Sequence, residues 1–365
     1  MSDEARRHLE REYAEFIKQE HAHIRLSGDD DDGPDIPDAR KMSDEQHAAA
    51  VDRLFEDSRN YPAFPWPSLD KITGSMAPED LWIIAGRTGG GKSLFLQNVF
   101  DAMVADGRRA LYIGLEQSPK ILKAKWACLR TGVAPSLVLK PRRHEFGTED
   151  HLLARTKVLE EMRDYQQSGD IPERAVFAAT RFVDRASLEL WTRRAVEKYG
   201  TQVVIVDHID RMHHGDGKNS FHEISETVRL AKELAVRHSI VMLVASQVGR
   251  PHDKTERFTP PALHELRGAG TKEEEADEVL AVFQPLRADL NAKDMAEKLH
   301  QVRIGAVPDA DILEPYTMAV RELKNRIDGA VRGQQAKLHV NRGRLEEIPE
   351  RHHYATAYES KGPRV

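Results

Sequence analysis

The chain has 365 residues, 40% of them hydrophobic and 31% charged, with a single cysteine, Cys128. That composition fills one large core with an appendage, argues against disorder throughout, and excludes an intrachain disulfide or a cysteine-rich zinc site. The net charge of −6 is uneven: residues 1–45 carry fourteen acidic and seven basic side chains, which leaves +1 for the remainder, so bulk charge does not exclude a nucleic-acid partner.

The opening MSDEARRHLE is highly charged and lacks the apolar stretch of a signal peptide. No run approaches the roughly 18 apolar residues of a membrane span, so the expectation is a soluble, cytoplasmic protein with no membrane partner. Residues 3–25 read as a charged helix with a thin apolar stripe of Leu9, Tyr13, Phe16 and Ile17. From Ser27 to Asp38, the run Asp29–Asp32 and several Gly and Pro breaks predict a flexible acidic linker. Ser43 then opens a helix through Ser58, with Gln46 at capping-box spacing and Val51, Leu54 and Phe55 on one face. That face needs a partner, either its own domain or a neighbouring subunit.

From Phe64 onward, short apolar runs alternate with helical stretches. The runs are 82–85, 110–114, 175–179, 203–206, 240–245, 279–283 and 318–323, mostly continuous rather than alternating. Continuous runs are those of strands covered on both faces, and their order predicts an α/β fold with a mostly parallel central sheet. Residues Leu94–Ala105 and Glu223–His238 are among the intervening helices. The expected divisions are 1–42 (charged helix and linker), 43–63 (linker helix), 64–348 (catalytic domain) and 349–365 (frayed tail).

The strongest motif is Gly86-Arg87-Thr88-Gly89-Gly90-Gly91-Lys92-Ser93, a complete G-x-x-x-x-G-K-S pattern between an apolar strand and a helix. Consecutive N–H groups of such a loop cradle phosphate; Lys92 is placed to reach the β- and γ-phosphates, and the Ser93 hydroxyl to ligate Mg²⁺. The expected cofactors are therefore ATP and Mg²⁺. Asp207 ends the apolar strand 203–206 and can hold the magnesium shell in the same crevice. Glu116 also follows a strand, where it can orient or deprotonate water or can simply be exposed. Gln247 closes a third strand and either senses the γ-phosphate or caps the strand.

Several further elements fall in a fixed order. Pro67-Ser68-Leu69-Asp70-Lys71-Ile72-Thr73-Gly74 precedes the glycine loop, and Leu115-Glu116-Gln117-Ser118 follows the second strand. Glu223-Ile224-Ser225-Glu226, Ala245-Ser246-Gln247-Val248-Gly249-Arg250, Leu266-Arg267-Gly268-Ala269-Gly270-Thr271, Glu275-Ala276-Asp277 and Leu323-Lys324-Asn325-Arg326 come after Asp207. Together they resemble the motor domain of DnaB-type replicative DNA helicases, over about residues 64–347. The resemblance implies a RecA-like P-loop core and a ring-shaped homo-oligomer, a hexamer, moving along single-stranded DNA during replication. It implies Glu116 as the catalytic glutamate, Asp207 as the magnesium-associated aspartate and Gln247 as the link between nucleotide state and DNA. Lys324 and Arg326 match a basic pair that reaches the adjacent subunit's nucleotide, and Arg267, Gly268, Ala269 and Gly270 match the pore loop on DNA. A loop of that kind offers one arginine and backbone N–H groups to phosphates without reading bases.

The sequence also departs from the family. About sixty residues precede the motor region, fewer than the usual amino-terminal helical domain and linker that carry the ring collar and the primase-docking surface; a primase or a loader is nonetheless a possible partner. His208-Ile209-Asp210 follows Asp207 where the family usually has a tyrosine and a glutamine. Asp289–Tyr316 is a long interruption without a derived role, and the seventeen histidines read as surface residues. The competing reading is a RecA-like DNA-binding ATPase without unwinding, such as a recombination mediator or a helicase-derived regulator. A weaker one is a small-molecule kinase, which gives no role to Arg267–Gly270 or Arg326.

Overall fold

The computed structural model describes residues 57–139, 148–167, 174–179, 183–212, 220–249, 260–266, 269–284, 300, 316–327 and 334–348. The expected helix at 3–25, all of that at 43–58 but its last two residues, the acidic linker, the tail and nearly all of the 289–316 interruption lie outside these residues.

Nine strands among the described residues form one sheet: β1 (Leu81–Gly86), β2 (Ala110–Gly114), β3 (Ala175–Ala179), β4 (Val203–Asp207), β5 (Val241–Gln247), β6 (Glu278–Phe283), β7 (Thr317–Asn325), β8 (Gln335–Asn341) and β9 (Arg344–Glu347). Their spatial order is β3-β2-β4-β5-β1-β6-β7-β8-β9. The first six are parallel, and β6 through β9 pair antiparallel. All seven apolar runs become strands, as expected. The β8–β9 hairpin was not anticipated.

The helices are α1 (Pro67–Thr73), α2 (Lys92–Ala105), α3 (Pro119–Thr131), α4 (Pro135–Leu139), α5 (Glu149–Gln167), α6 (Arg185–Tyr199), α7 (Ser220–His238) and α8 (Ala269–Glu275). Two core layers sandwich the sheet. Along β1, Trp82 and Ile84 pack with Phe64, Phe95, Phe100 and Trp126 on one side. Leu81, Ile83 and Ala85 pack with Val204, Val228 and Leu234 on the other. This two-sided burial explains why β1 reads as a continuous apolar run, and each large side chain so buried contributes about 1.5–3 kcal/mol. On α2, Phe95, Leu96, Val99, Phe100 and Met103 are buried, a helical repeat that fixes the face turned to the sheet. Asp184 caps α6 by accepting from the Ser187 N–H at 2.8 Å. No helix among the described residues is long and apolar enough to cross a membrane.

A polar knot closes the sheet edge where β1 begins. Asp80 accepts from the Ala77 N–H at 2.8 Å and from the Trp82 indole at 3.3 Å. Asp277 accepts from the Leu81 N–H at 2.8 Å and from Lys232 at 2.7 Å. Burial, reinforced by the Asp277 charge, pushes the Asp80 carboxyl up from 3.8 to about 6. A carboxyl raised in the folded state favours the fold while protonated; that contribution is complete below about pH 4 and is lost as pH rises through about 6. Asp80→Asn, which keeps an acceptor oxygen, is therefore expected to raise the thermal midpoint at neutral pH, with the gain vanishing near pH 4. A gain independent of pH would contradict this.

Candidate nucleotide-binding site

The parallel register gathers the polar groups. Gly86 is paired with Gln247, and Gly114 with Asp207, so β1, β2, β4 and β5 end along one edge of the sheet. With strands about 4.8 Å apart, that edge places the glycine loop, Gln247, Asp207 and the Glu116 turn within roughly 15 Å. The crevice beyond the carboxyl ends of parallel strands is where ligands bind in such sheets.

The loop leaves β1 at Gly86 and enters α2 at Lys92. Gly91 stands at the helix cap with φ 101°, so no side chain blocks the N–H groups of the first turn, the positive end of a 14-residue helix. A Cβ on Gly86 would lie 2.9 Å from the Val282 carbonyl and 2.9 Å from Lys92 Cγ, so the cradle tolerates only glycine there. Lys92 is buried, and its Nζ donates to the carbonyls of Gly86 at 2.7 Å and Arg87 at 3.2 Å. Burial lowers its pKa, while the charges of Asp207, Asp210 and Glu116 oppose that.

Asp207 is buried and accepts from the Tyr112 hydroxyl at 2.7 Å. The Leu115 N–H donates to the Asp207 carbonyl at 2.9 Å and so fixes the start of the Glu116 turn. Glu116 Oε1 lies 3.3 Å from His208 Nε2 and 3.1 Å from Arg211 Nη2. Gln247 donates through its side-chain amide to the Thr88 hydroxyl, and its backbone N–H donates to Asp210 at 2.7 Å. Arg87 pairs with Glu265 at 2.9 Å. Among the described residues, no three His, Cys, Asp or Glu side chains form a metal cage. The hard oxygens of Ser93 and Asp207 fit a Mg²⁺ ion, which takes few protein ligands alongside phosphate.

Two expectations need correction. The stretch 267–270 is not a single loop: Ala269 and Gly270 open α8, while Arg267 and Gly268 lie outside the described residues. The histidines are not all on the surface, because His151 and His208 are buried. Lys324 and Arg326, matched by the resemblance to a pair that reaches an adjacent subunit, both bond within their own chain. Lys324 donates to the Glu273 and Ala276 carbonyls; Arg326 donates to the Glu274 carbonyl and pairs with Asp277 at 3.0 Å. Both thus cover the carboxyl-terminal end of α8, where a helix favours cations. Burial and the neighbouring Arg326 charge lower the Lys324 pKa.

Topology separates this pair from the glycine loop of its own chain. β7 runs antiparallel to β6 with Asn325 opposite Glu278, and Glu278 lies opposite Trp82 at the start of β1. The pair therefore sits at the far edge of the sheet, roughly 15 Å along β1 from the loop. Sequence reading missed Tyr112, Asp210 and Lys272. Only Asp210, three residues after Asp207, carried a local hint.

Residues 65–310 match the family described as DnaB-like helicase C-terminal domain. The replicative DNA helicase DnaB of Pasteurella multocida (strain Pm70) is 25% identical over 236 residues, covering 62% of this chain and 47% of that protein. The chain thus spans about half the length of that relative. Among solved structures, one described as an ATPase domain superposes with a TM-score of 0.63 at 17% identity, covering 84% of this chain and 99% of that one. A DnaB-like replicative helicase, from a structure describing its interactions with primase, gives 0.63 at 18% identity, covering 84% and 68%. These likenesses show the RecA-like ATPase fold.

The cap geometry yields one direct expectation. Gly91→Ala places a Cβ at a positive φ, 2.6 Å from both the Gln284 amide and the Met318 methyl, and should cost about 1–3 kcal/mol of stability in denaturant unfolding. An unchanged unfolding midpoint would contradict the described loop conformation.

Proposed function

Because the chain belongs to the DnaB-like helicase C-terminal domain family, we propose that it is an ATP-driven DNA helicase of the DnaB type, working as a ring-shaped oligomer on single-stranded DNA during replication. One observation carries this reading. The glycine loop with Glu116, Asp207 and Gln247 occupies one edge of the sheet, and Lys324 and Arg326 occupy the other. A basic pair that cannot reach its own nucleotide can complete the site of a second copy.

In this reading the helix end and the loop N–H groups hold the phosphates, and Lys92 swings from the Gly86 and Arg87 carbonyls to the β- and γ-phosphates. Magnesium held by Ser93 and Asp207 neutralises phosphate charge when bound. Glu116 orients a water and accepts its proton as the oxygen attacks the γ-phosphorus and the bond to the bridging oxygen of the β-phosphate breaks, with ADP leaving. Gln247, bonded to Thr88, reports the state of the loop to its own strand. Arg326 of a second copy meets the charge that develops on the transferred phosphoryl group, a contribution worth about 10³–10⁵ in rate. The grip on DNA is through phosphates, so affinity falls steeply with salt. A primase or loader is a possible partner, and the hexamer is the proposed assembly.

Three measurements test the reading. Lys92→Ala should lose tight ATP binding, whereas Glu116→Gln should retain binding and lose turnover by at least about 10²-fold. Arg326→Ala alone should be inactive but should regain ATPase when mixed with Lys92→Ala subunits, because mixed assemblies contain some complete sites; a mixture no more active than its separate components counts against the trans role. On a forked duplex, ATP should release the strand. ATPase stimulated by single strands without release would move the assignment to a non-unwinding RecA-like ATPase.

A further inference from the structure

One buried carboxylate at the far edge of the sheet has no part in the proposed chemistry. Asp277 lies at the turn from α8 into β6. Its backbone N–H donates to the Leu81 carbonyl at 2.9 Å, and its Oδ2 accepts from the Leu81 N–H at 2.8 Å. The same oxygen accepts from Lys232 of α7 at 2.7 Å. Oδ1 accepts from Arg326 Nη1 at 3.0 Å, and the Arg326 backbone N–H donates to the Asp277 carbonyl at 2.9 Å. Asp277 thus holds the start of β1 and Arg326 alike, each through both its backbone and its side chain.

These bonds direct the guanidinium without burying it, since the Arg326 side chain remains 48% exposed. Its Nη2 donates to the Glu274 carbonyl near the end of α8. That helix is itself seated by Lys272, whose Nζ lies 2.8 Å from Asp210 Oδ1 and 2.7 Å from the Ser246 hydroxyl. A guanidinium presents its N–H donors in a rigid planar fork, so fixing both Nη atoms sets the plane in which its other donors lie. The mount for this fork is Leu81, the first residue of the strand whose opposite end carries the glycine loop.

We propose that Asp277 is a positioning residue that aims the Arg326 guanidinium, from the strand bearing this chain's own glycine loop, at the phosphoryl group held by a second copy. The inference rests on the ATPase reading above, with its arginine supplied between copies, and adds the group that aims that arginine. A carboxylate suits the task because a charge-assisted bond to a guanidinium is roughly twice as strong as a neutral one and fixes direction. Lys232 and the Leu81 N–H hold the carboxylate in turn, so it does not follow the arginine. An ion pair with one half-exposed member adds little to stability, which leaves direction as what the bond supplies. An arginine already in place before the second copy arrives also loses less rotamer freedom on meeting it.

The test follows kcat and KM for ATP in the full chain, with the thermal midpoint as the check on folding. Asp277→Asn keeps an oxygen for the Leu81 N–H but weakens the hold on Arg326. Its kcat should fall about tenfold or more while KM stays within about threefold. Mixed with Lys92→Ala subunits, whose Asp277 and Arg326 are intact, it should regain ATPase above the sum of the separate components. Glu116→Gln, whose defect lies in its own site, should gain nothing from the same mixing. Asp277→Glu keeps the charge beside Lys232 but displaces it from Arg326; it should show the same pattern, and it decides the matter should Asp277→Asn not fold. Wild-type kcat in the folded variant, a deficit that Lys92→Ala subunits leave untouched, or an equal gain by Glu116→Gln would overturn the inference alone. An Arg326→Ala chain that mixing fails to rescue would overturn the parent reading and this inference with it.

Discussion

Every polar group of the site stands where four neighbouring parallel strands allow it to stand. β2, β4, β5 and β1 are buried on both faces, so none can slip by one residue without carrying a row of apolar side chains to the wrong layer. Their common direction places the glycine loop, the Glu116 turn, Asp207 and Gln247 on one edge. The reversal at β6–β7 sends Lys324 and Arg326 to the other. A chemistry that uses both sets must draw them from different copies of the chain, and that geometric separation is the physical ground for the assembly proposed above.

Helix α8 joins the two edges. Its first residues follow the stretch that the resemblance matches to a pore loop, Lys272 anchors its second turn to Asp210, and its last carbonyls accept from Lys324 and Arg326. A displacement at one end of so short a helix reaches the other with little loss, since interiors are close-packed and deform poorly. The Lys272–Asp210 pair and the Lys324–Arg326 pair are thus held by one small element.

Much of this was legible in the sequence because the informative signals are local. Seven apolar runs, most of them continuous, became strands, and the glycine loop sat between a buried strand and a buried helix face. What escaped was set by tertiary contact. Lys272 and Asp210 are 62 residues apart, and each reads alone as an ordinary surface charge. His208 follows an apolar strand but owes its burial to the turn over which Glu116 and Asp210 close. The β8–β9 hairpin was missed because its residues alternate between buried and exposed and carry Gln, Lys, His and Arg on the open face. Ala269 and Gly270 suggested a loop by composition; packing of Lys272 and capping by the two basic residues make them helical instead.

The claim that a catalytic site is completed between copies is tested most directly by recording ATPase rate per chain against protein concentration, with particle mass measured in the same solutions. The account predicts a rate per chain that climbs in step with a multi-subunit species and rises again with single-stranded DNA. A rate per chain that stays constant while the particle remains a monomer would contradict it.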